Sequence, residues 1–255
     1  MNFENEIKKF DLYVKKNYDY DNELIRLKYI HTLNVVKVMI MICNKMNLSM
    51  EDTKLAFFLA LFHDLGRFRE VVRQNEFDNL KFDHGAYSNK VLFNDDFIHN
   101  FDISEDDYLL IRKAIYFHNK KDLPNNLNDR EQLFCELIRD ADRTDIFRVL
   151  STGYSSERNL RFIEKPSVKV LDSFFKGGSI DLRDVNNASD RVVLRFSFIN
   201  LFASNEARMV LKEFGYFDKY VELIRVSSDN EEIFNELMNV INSYMNIKGD
   251  SKNVR

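Results

Sequence analysis

The chain has 255 residues, of which 45% are hydrophobic and 31% charged, a balance that excludes a disordered chain, because disorder follows from too little apolar surface to offset ordering entropy. Only 7 Gly and 2 Pro are present, too few for the many tight turns of a sheet protein, so long helices with few connections are predicted. With 37 basic and 41 acidic residues the net charge is −4, which leaves no strong positive field to hold a nucleic-acid polymer by counterion release.

Apolar residues recur at spacings of three and four along the whole chain, the helical period. The opening residues Met1-Asn2-Phe3-Glu4-Asn5-Glu6 carry acids where a secretory signal needs a basic start and an apolar run. A first helix is predicted over 3–17 and the clearest one over 23–47, with Leu24, Leu27, His31, Val35, Val38 and Ile42 on one stripe. The next covers 51–64 and is ended by Gly66, which can take the left-handed conformation that closes a helix. Its apolar run, 55–62, is too short to cross a membrane, which needs roughly 20 residues. Residues 75–83 read as a polar loop, followed by a helix over 84–93 that Asp83 is placed to cap. Ser104 and Asp107 resemble a capping pair for a helix over 105–118. Pro124-Asn125-Asn126 marks a loop before a long helix over 129–150. Residues 151–187 are mixed and contain the double glycine Gly177-Gly178; helices resume over 190–203, 205–214, 216–226 and 230–247. The segment 248–255 is mostly polar and reads as a flexible tail. No strand and no internal repeat is read. The fold class is therefore all-α. Cys43 and Cys135 lie in apolar helical stretches and read as free buried thiols, which points to the cytoplasm.

All five histidines, His31, His63, His84, His99 and His118, precede residue 119, so the candidate chemistry lies in the first part of the chain. The dipeptide His63-Asp64 is weak by itself, since random order yields one in about every second chain of this composition. Its context is stronger. His63 shares a helix face with Leu55, Leu59 and Ala60. His31 sits between Leu27 and Val35, His118 on the face of Leu110, Ile111, Ala114 and Ile115, and Asp142 on the face of Phe134, Ile138, Ile146 and Val149. His84 opens a further helix. One inward His is commonly a hydrogen-bonded core residue, and one inward Asp can pair with an Arg or a helix end. Four inward His with two inward Asp make a polar core that side-chain pairing alone struggles to satisfy. Divalent Fe, Mn, Co, Ni or Zn satisfies it directly, because imidazole nitrogen and carboxylate oxygen are their ligands. His99 shares no such stripe and reads as a surface residue.

The order His31, His63-Asp64, His84, His118, Asp142 resembles the HD-domain superfamily of metal-dependent phosphohydrolases, over roughly residues 23–150. His63-Asp64-Leu65-Gly66-Arg67 is similar to the family's central block. Asp83-His84, His118-Asn119-Lys120 and Arg139-Asp140-Ala141-Asp142-Arg143 are similar to its later ligand blocks, closest to a branch of small bacterial HD proteins whose substrate is generally unassigned. The resemblance implies a helical HD core over 1–150; beyond it, the Phe-rich helical pattern reads as a C-terminal subdomain or pocket wall over 151–247, followed by the tail. It implies that His31, His63, Asp64 and Asp142 bind a first metal. Asp64 would then bridge to a second, held also by His84 and His118. Fe or Mn is favoured over Ni, Co, Zn or Mg. The added His84 and His118 point to two metals rather than the single metal of the deoxynucleotidase branch. No Gly-Tyr-Pro follows His118, against the cyclic-di-nucleotide branch, and Gly66-Arg67-Phe68-Arg69 lacks the acidic pair of the alarmone hydrolases.

The implied reaction is phosphate-ester hydrolysis by a metal-activated hydroxide. Arg67 and Lys120 stand beside ligands as candidates to hold phosphate charge, against the alternative of solvated surface cations. The implied substrate is a nucleotide or small phosphoester, with neither membrane nor nucleic-acid polymer as partner. Two alternatives stay open on ligand types: a di-iron HD-fold oxygenase with a similar six-ligand set, and a non-catalytic sensor of metal or nucleotide.

Overall fold

The computed structural model describes residues 3–74, 82–152, 161–226 and 228–246. The chain divides into two compact units, Met1–Ile146 and Phe147–Arg255.

The first unit contains α1 (Glu4–Asn17), α2 (Glu23–Lys45), α3 (Met50–Phe62), α4 (Leu65–Gln74), α5 (His84–Asn89), α6 (Tyr108–Phe117) and most of α7 (Asp129–Thr152). Helix α3 is its centre. Every residue of α3 from Leu55 to Phe62 is buried, as expected for a helix apolar on all sides. It packs against α2 and α6, while α4 packs against α2 and α5. Aromatic rings fill the space around it: Phe57 and Phe58 meet edge to face, and Phe62 meets Phe97 and Phe101. The helix starts are capped as their sequences require. The Asn22 side chain accepts from the Leu24 and Ile25 amides, Ser49 from Asp52, and Asp83 from Ala86. Ser104 accepts from the Asp106 amide, and a 3₁₀ turn over Glu105–Asp107 precedes α6. A π-helical turn, Lys90–Asn94, extends α5.

Two features of this unit differ from the sequence reading. Residues 65–74 form α4, a helix the reading did not place. Gly66 lies inside it and is not among the glycines with positive φ, which among the described residues are Gly177 and Gly215. Gly66 is there for space: a Cβ at this position would lie 2.2 Å from the His84 carbonyl oxygen. Most of the polar stretch read as a loop, 75–81, lies outside the described residues, as does 248–255.

The second unit takes the end of α7 and holds α8 (Val168–Phe175), α9 (Ala188–Ser197), α10 (Asn205–Phe214), α11 (Tyr216–Leu223) and α12 (Glu231–Met245). Gly215, at φ 62°, closes α10 in the left-handed conformation. Phe147, Phe196, Phe217 and Tyr220 form one ring cluster, and Phe234 joins it through Phe196. Where no strand was expected, Arg161–Phe162 (β1) pairs in parallel with Arg225–Val226 (β2). This two-residue bridge leaves the fold all-α. No helix among the described residues is long and apolar enough to cross a membrane.

Candidate metal centre

Five segments of the first unit converge on one polar cluster. His31 lies mid-way along α2. His63 closes α3, and Asp64 occupies the break before α4, its carbonyl accepting from the Arg67 amide at 2.9 Å. His84 is the first residue of α5, His118 closes α6, and Asp142 lies on α7. The four histidines and Asp64 are buried, and the Asp142 side chain is 20% exposed.

Asp64 is the centre of the geometry. Its Oδ2 lies 3.6 Å from His31 Nε2 and 3.5 Å from His63 Nε2. Its Oδ1 lies 3.7 Å from His84 Nε2 and 3.5 Å from His118 Nε2. Asp142 Oδ1 completes the first side, 3.0 Å from His31 Nε2 and 3.8 Å from His63 Nε2. His84 Nε2 and His118 Nε2 approach to 3.2 Å on the second. The six side chains thus form two groups able to hold a metal ion, His31–His63–Asp142 and Asp64–His84–His118.

The donor set fits such ions on three grounds. Ligand atoms about 2.0–2.2 Å from a metal stand roughly 3–3.5 Å apart, and the separations here are 3.0–3.8 Å. His63 Nε2 is buried and makes no hydrogen bond, a costly arrangement unless something else takes its lone pair. The opposite ring nitrogens are engaged. His63 Nδ1 donates to the Ala60 carbonyl at 2.8 Å, His118 Nδ1 to the Ile115 carbonyl at 2.6 Å, and His31 Nδ1 to Asp145 Oδ2 at 2.7 Å. Each such bond fixes the tautomer that presents Nε2 as a ligand. His84 Nδ1 lies 3.3 Å from the Asn119 side-chain amide.

The electrostatics follow the same division. Burial by itself would raise the Asp64 carboxyl, but the Lys28 ammonium and the His63 and His118 imidazoles hold it well below the usual carboxylate range. Burial likewise opposes the ionised Asp142, and His31 outweighs it, so this carboxyl is also depressed. The His84 imidazole is driven well below its ordinary value by burial, Arg67 and His118. His31, although burial and Lys28 act against its charge, is raised by Asp142 and Asp145.

Arg67 and Lys120 differ in placement. Arg67 Nε lies 3.7 Å from Asp64 Oδ1, and its Nη1 pairs with the buried Glu70 at 2.7 Å. Lys120 Nζ is 2.5 Å from Asp83 Oδ2 and 4.5 Å from the centre of the Tyr116 ring, so its charge is directed at the residue that caps α5. His99 is mostly exposed and lies 3.7 Å from Asp96. Burial pushes the Cys43 and Cys135 thiols up to about 12, and neither belongs to the cluster.

Several supporting residues went unread in the sequence. Asp145, fully buried, orients His31. Lys28 Nζ lies 2.9 Å from Asp64 Oδ2. The Ser88 hydroxyl accepts from the Gly66 amide at 2.8 Å and faces the His63 and His84 carbonyls at 2.8 and 2.9 Å, tying the α3–α4 break to α5. Arg139 donates to the Phe117, Lys120 and Lys121 carbonyls at 2.8–3.0 Å, clamping the end of α6 that carries His118. Spacing offers a signal for two of them. Asp145 follows Asp142 by three residues and Lys28 precedes His31 by three, so each shares a helix face with a ligand candidate.

Four imidazoles and the Asp142 carboxylate gathered around Asp64 are the donor set of a candidate metal site. Residues 29–146 match the family model described as HD domain, so this segment of the chain carries the HD-domain pattern. Comparison with curated proteins and with solved structures gave no match.

Proposed function

We propose that the chain is a metal-dependent phosphohydrolase with a two-metal site, His31, His63, Asp64 and Asp142 holding one ion and Asp64, His84 and His118 the other. The observation that carries this reading is the division of Asp64, whose two oxygens face two separate groups of ligands. The donor types suit Fe or Mn and also serve Ni, Co or Zn, with Mg less suited to imidazole. Divalent ions bound there supply Lewis acidity, drawing charge from phosphoryl oxygens and lowering the pKa of water toward neutrality. The chain's own part is to hold the geometry. Asp64 fixes the separation of the two groups, Asp145 keeps the His31 tautomer, and the buried α3–α4 break limits the approach of solvent. Arg67, on the His84–His118 side of Asp64 and paired with Glu70, would hold phosphate charge through its remaining donors. Lys120 acts there only by leaving Asp83. The substrate class is a nucleotide or other small phosphoester.

The test is metal analysis of protein purified without chelator, followed by a phosphate-release screen over nucleotides and small phosphoesters with Mn, Fe, Co, Ni and Mg. More than one transition-metal ion per chain, with phosphate release, is expected. A protein that neither carries nor takes up metal overturns the reading. Oxygen uptake without phosphate release moves the assignment to oxidation, and saturable binding without turnover moves it to a sensor.

A further inference from the structure

The two ligand groups are wired differently. His31 and His63 each give the Nδ1 proton to an acceptor, Asp145 and the Ala60 carbonyl, so each Nε2 carries a lone pair. His118 does the same through the Ile115 carbonyl. His84 does not. Its Nδ1 faces the amide nitrogen of Asn119 at 3.3 Å, and an amide NH2 group can only donate. A neutral imidazole carries one proton, so in this arrangement the proton of His84 sits on Nε2. There it points to the lone pair of His118 Nε2, 3.2 Å away. The two nitrogens assigned to one ion are thereby bonded to each other. The Asn119 amide pays for this arrangement. Its Oδ1 is buried without a hydrogen bond. That oxygen and the Ile115 and Tyr116 carbonyl oxygens all lie within 3.0 Å of the point where a Cβ on Gly85 would stand, so acceptors crowd together. The amide nitrogen has a second contact, Asp83 Oδ1 at 3.4 Å, but Asp83 is already held by Lys120 and the Ala86 amide. The last torsion of an Asn side chain has a broad, two-fold profile. Half a turn about it presents Oδ1 to a proton on His84 Nδ1 and brings the NH2 group among the carbonyls, at the loss of one long contact to Asp83.

We propose that Asn119 is a positioning residue of the second ligand group, its two amide orientations selecting between a His84 ring bonded to His118 and one that offers Nε2 to a metal ion. In the change the ring loses its Nε2 proton to water and takes one from water at Nδ1, so its charge is unchanged. The proposal rests on the two-metal reading and adds that the two groups fill unequally, the His31–His63–Asp142 group first. Zn, which is diamagnetic, is titrated into the full chain after chelator treatment. Calorimetry follows ion binding and nitrogen NMR follows the His84 ring, for wild type, Asn119→Asp and Asn119→Leu. Wild type should carry the His84 proton on Nε2 before Zn is added and on Nδ1 once the second ion binds. Asn119→Leu should weaken the second ion about 10–100-fold and leave the first within about twofold. Asn119→Asp, whose carboxylate only accepts, should hold the proton on Nδ1 from the start and bind the second ion at least as tightly as wild type. A His84 proton on Nδ1 in Zn-free wild type overturns the proposal, and so does an Asn119→Leu protein that binds both ions like wild type; either leaves the two-metal reading standing. Asn119→Asp as weak as Asn119→Leu also overturns it, since the amide would then serve only to pack against Gly85. Wild type that takes up fewer than two ions overturns both.

Discussion

At the scale of single residues, the two oxygens of Asp64 make the sharpest demand. A neutral amide offers one weak oxygen donor where the carboxylate offers two charged ones. Asp64→Asn should therefore reduce metal content and abolish phosphate release, whereas exposed His99→Ala should change neither beyond a small factor. Equal sensitivity at His99 would show that the division of the five histidines is wrong. Asp145 makes the complementary demand. Asp145→Ala leaves all six ligand candidates in place but removes the oxygen that holds His31 Nδ1 at 2.7 Å. Loss of such a supporting partner costs about 10–100-fold in metal affinity, measurable by competition with a chromophoric chelator. Affinity within twofold of wild type would show that His31 keeps its orientation through α2 alone. Five of the six ligand candidates were legible because each puts a polar group on an apolar stripe or at the start of a helix after an acidic cap, and Asp64 was legible through the His63-Asp64 block. The roles of Asp145, Lys28 and Arg139 were harder to read: the three-residue spacing puts Asp145 and Lys28 on a ligand's helix face, but along the sequence a buried charge partnered across space looks the same as a solvated one.

At the scale of elements, α3 and α4 show what pattern reading recovers and what it does not. The apolar run through α3, the stripe of α2 and the caps at Ser104 and Asp83 each announce a helix through local chemistry. Gly66 misled for a physical reason. Glycine serves both left-handed closure and close backbone approach, and only the second acts here, through a helix packed on top of it. Propensity alone would make Gly66→Ala stabilising by about 1 kcal/mol inside α4. Contact reverses the sign, because a methyl 2.2 Å from the His84 carbonyl forces α4 and α5 apart. The expected outcome is a loss of about 1–3 kcal/mol in denaturant unfolding, together with weaker metal binding as Asp64 and His84 separate. Gly178→Ala, where the nearest atom is 3.7 Å away, should stay within about 0.5 kcal/mol of wild type. A stable, metal-tight Gly66→Ala protein would mean that the α4–α5 spacing does not govern the site. The β1–β2 bridge escaped the reading because two residues are too few for any alternation to show.

At the scale of the whole molecule, the two groups found among the described residues both lie in the first unit, on segments running from α2 to α7. That unit gathers two carboxylates, four imidazoles and Lys28, and leaves the buried His63 Nε2 without a hydrogen bond. The second unit is held by aromatic packing around Phe196 and Tyr220, and its sequence carries no histidine. Metal that binds only the folded form adds stability by mass action, about 2.7 kcal/mol when free metal is 100 times Kd. For a unit of this size that corresponds to a rise in Tm of about 5–10 °C. The rise should appear on titrating Mn into chelator-treated protein and be absent in Asp64→Asn. Hydrogen exchange should place the added protection in α2, the α3–α4 break, α5 and the end of α6, and leave the amides of α9 to α12 unchanged. A Tm indifferent to metal, or protection confined to α9 to α12, would show that the ion does not bind among these six side chains.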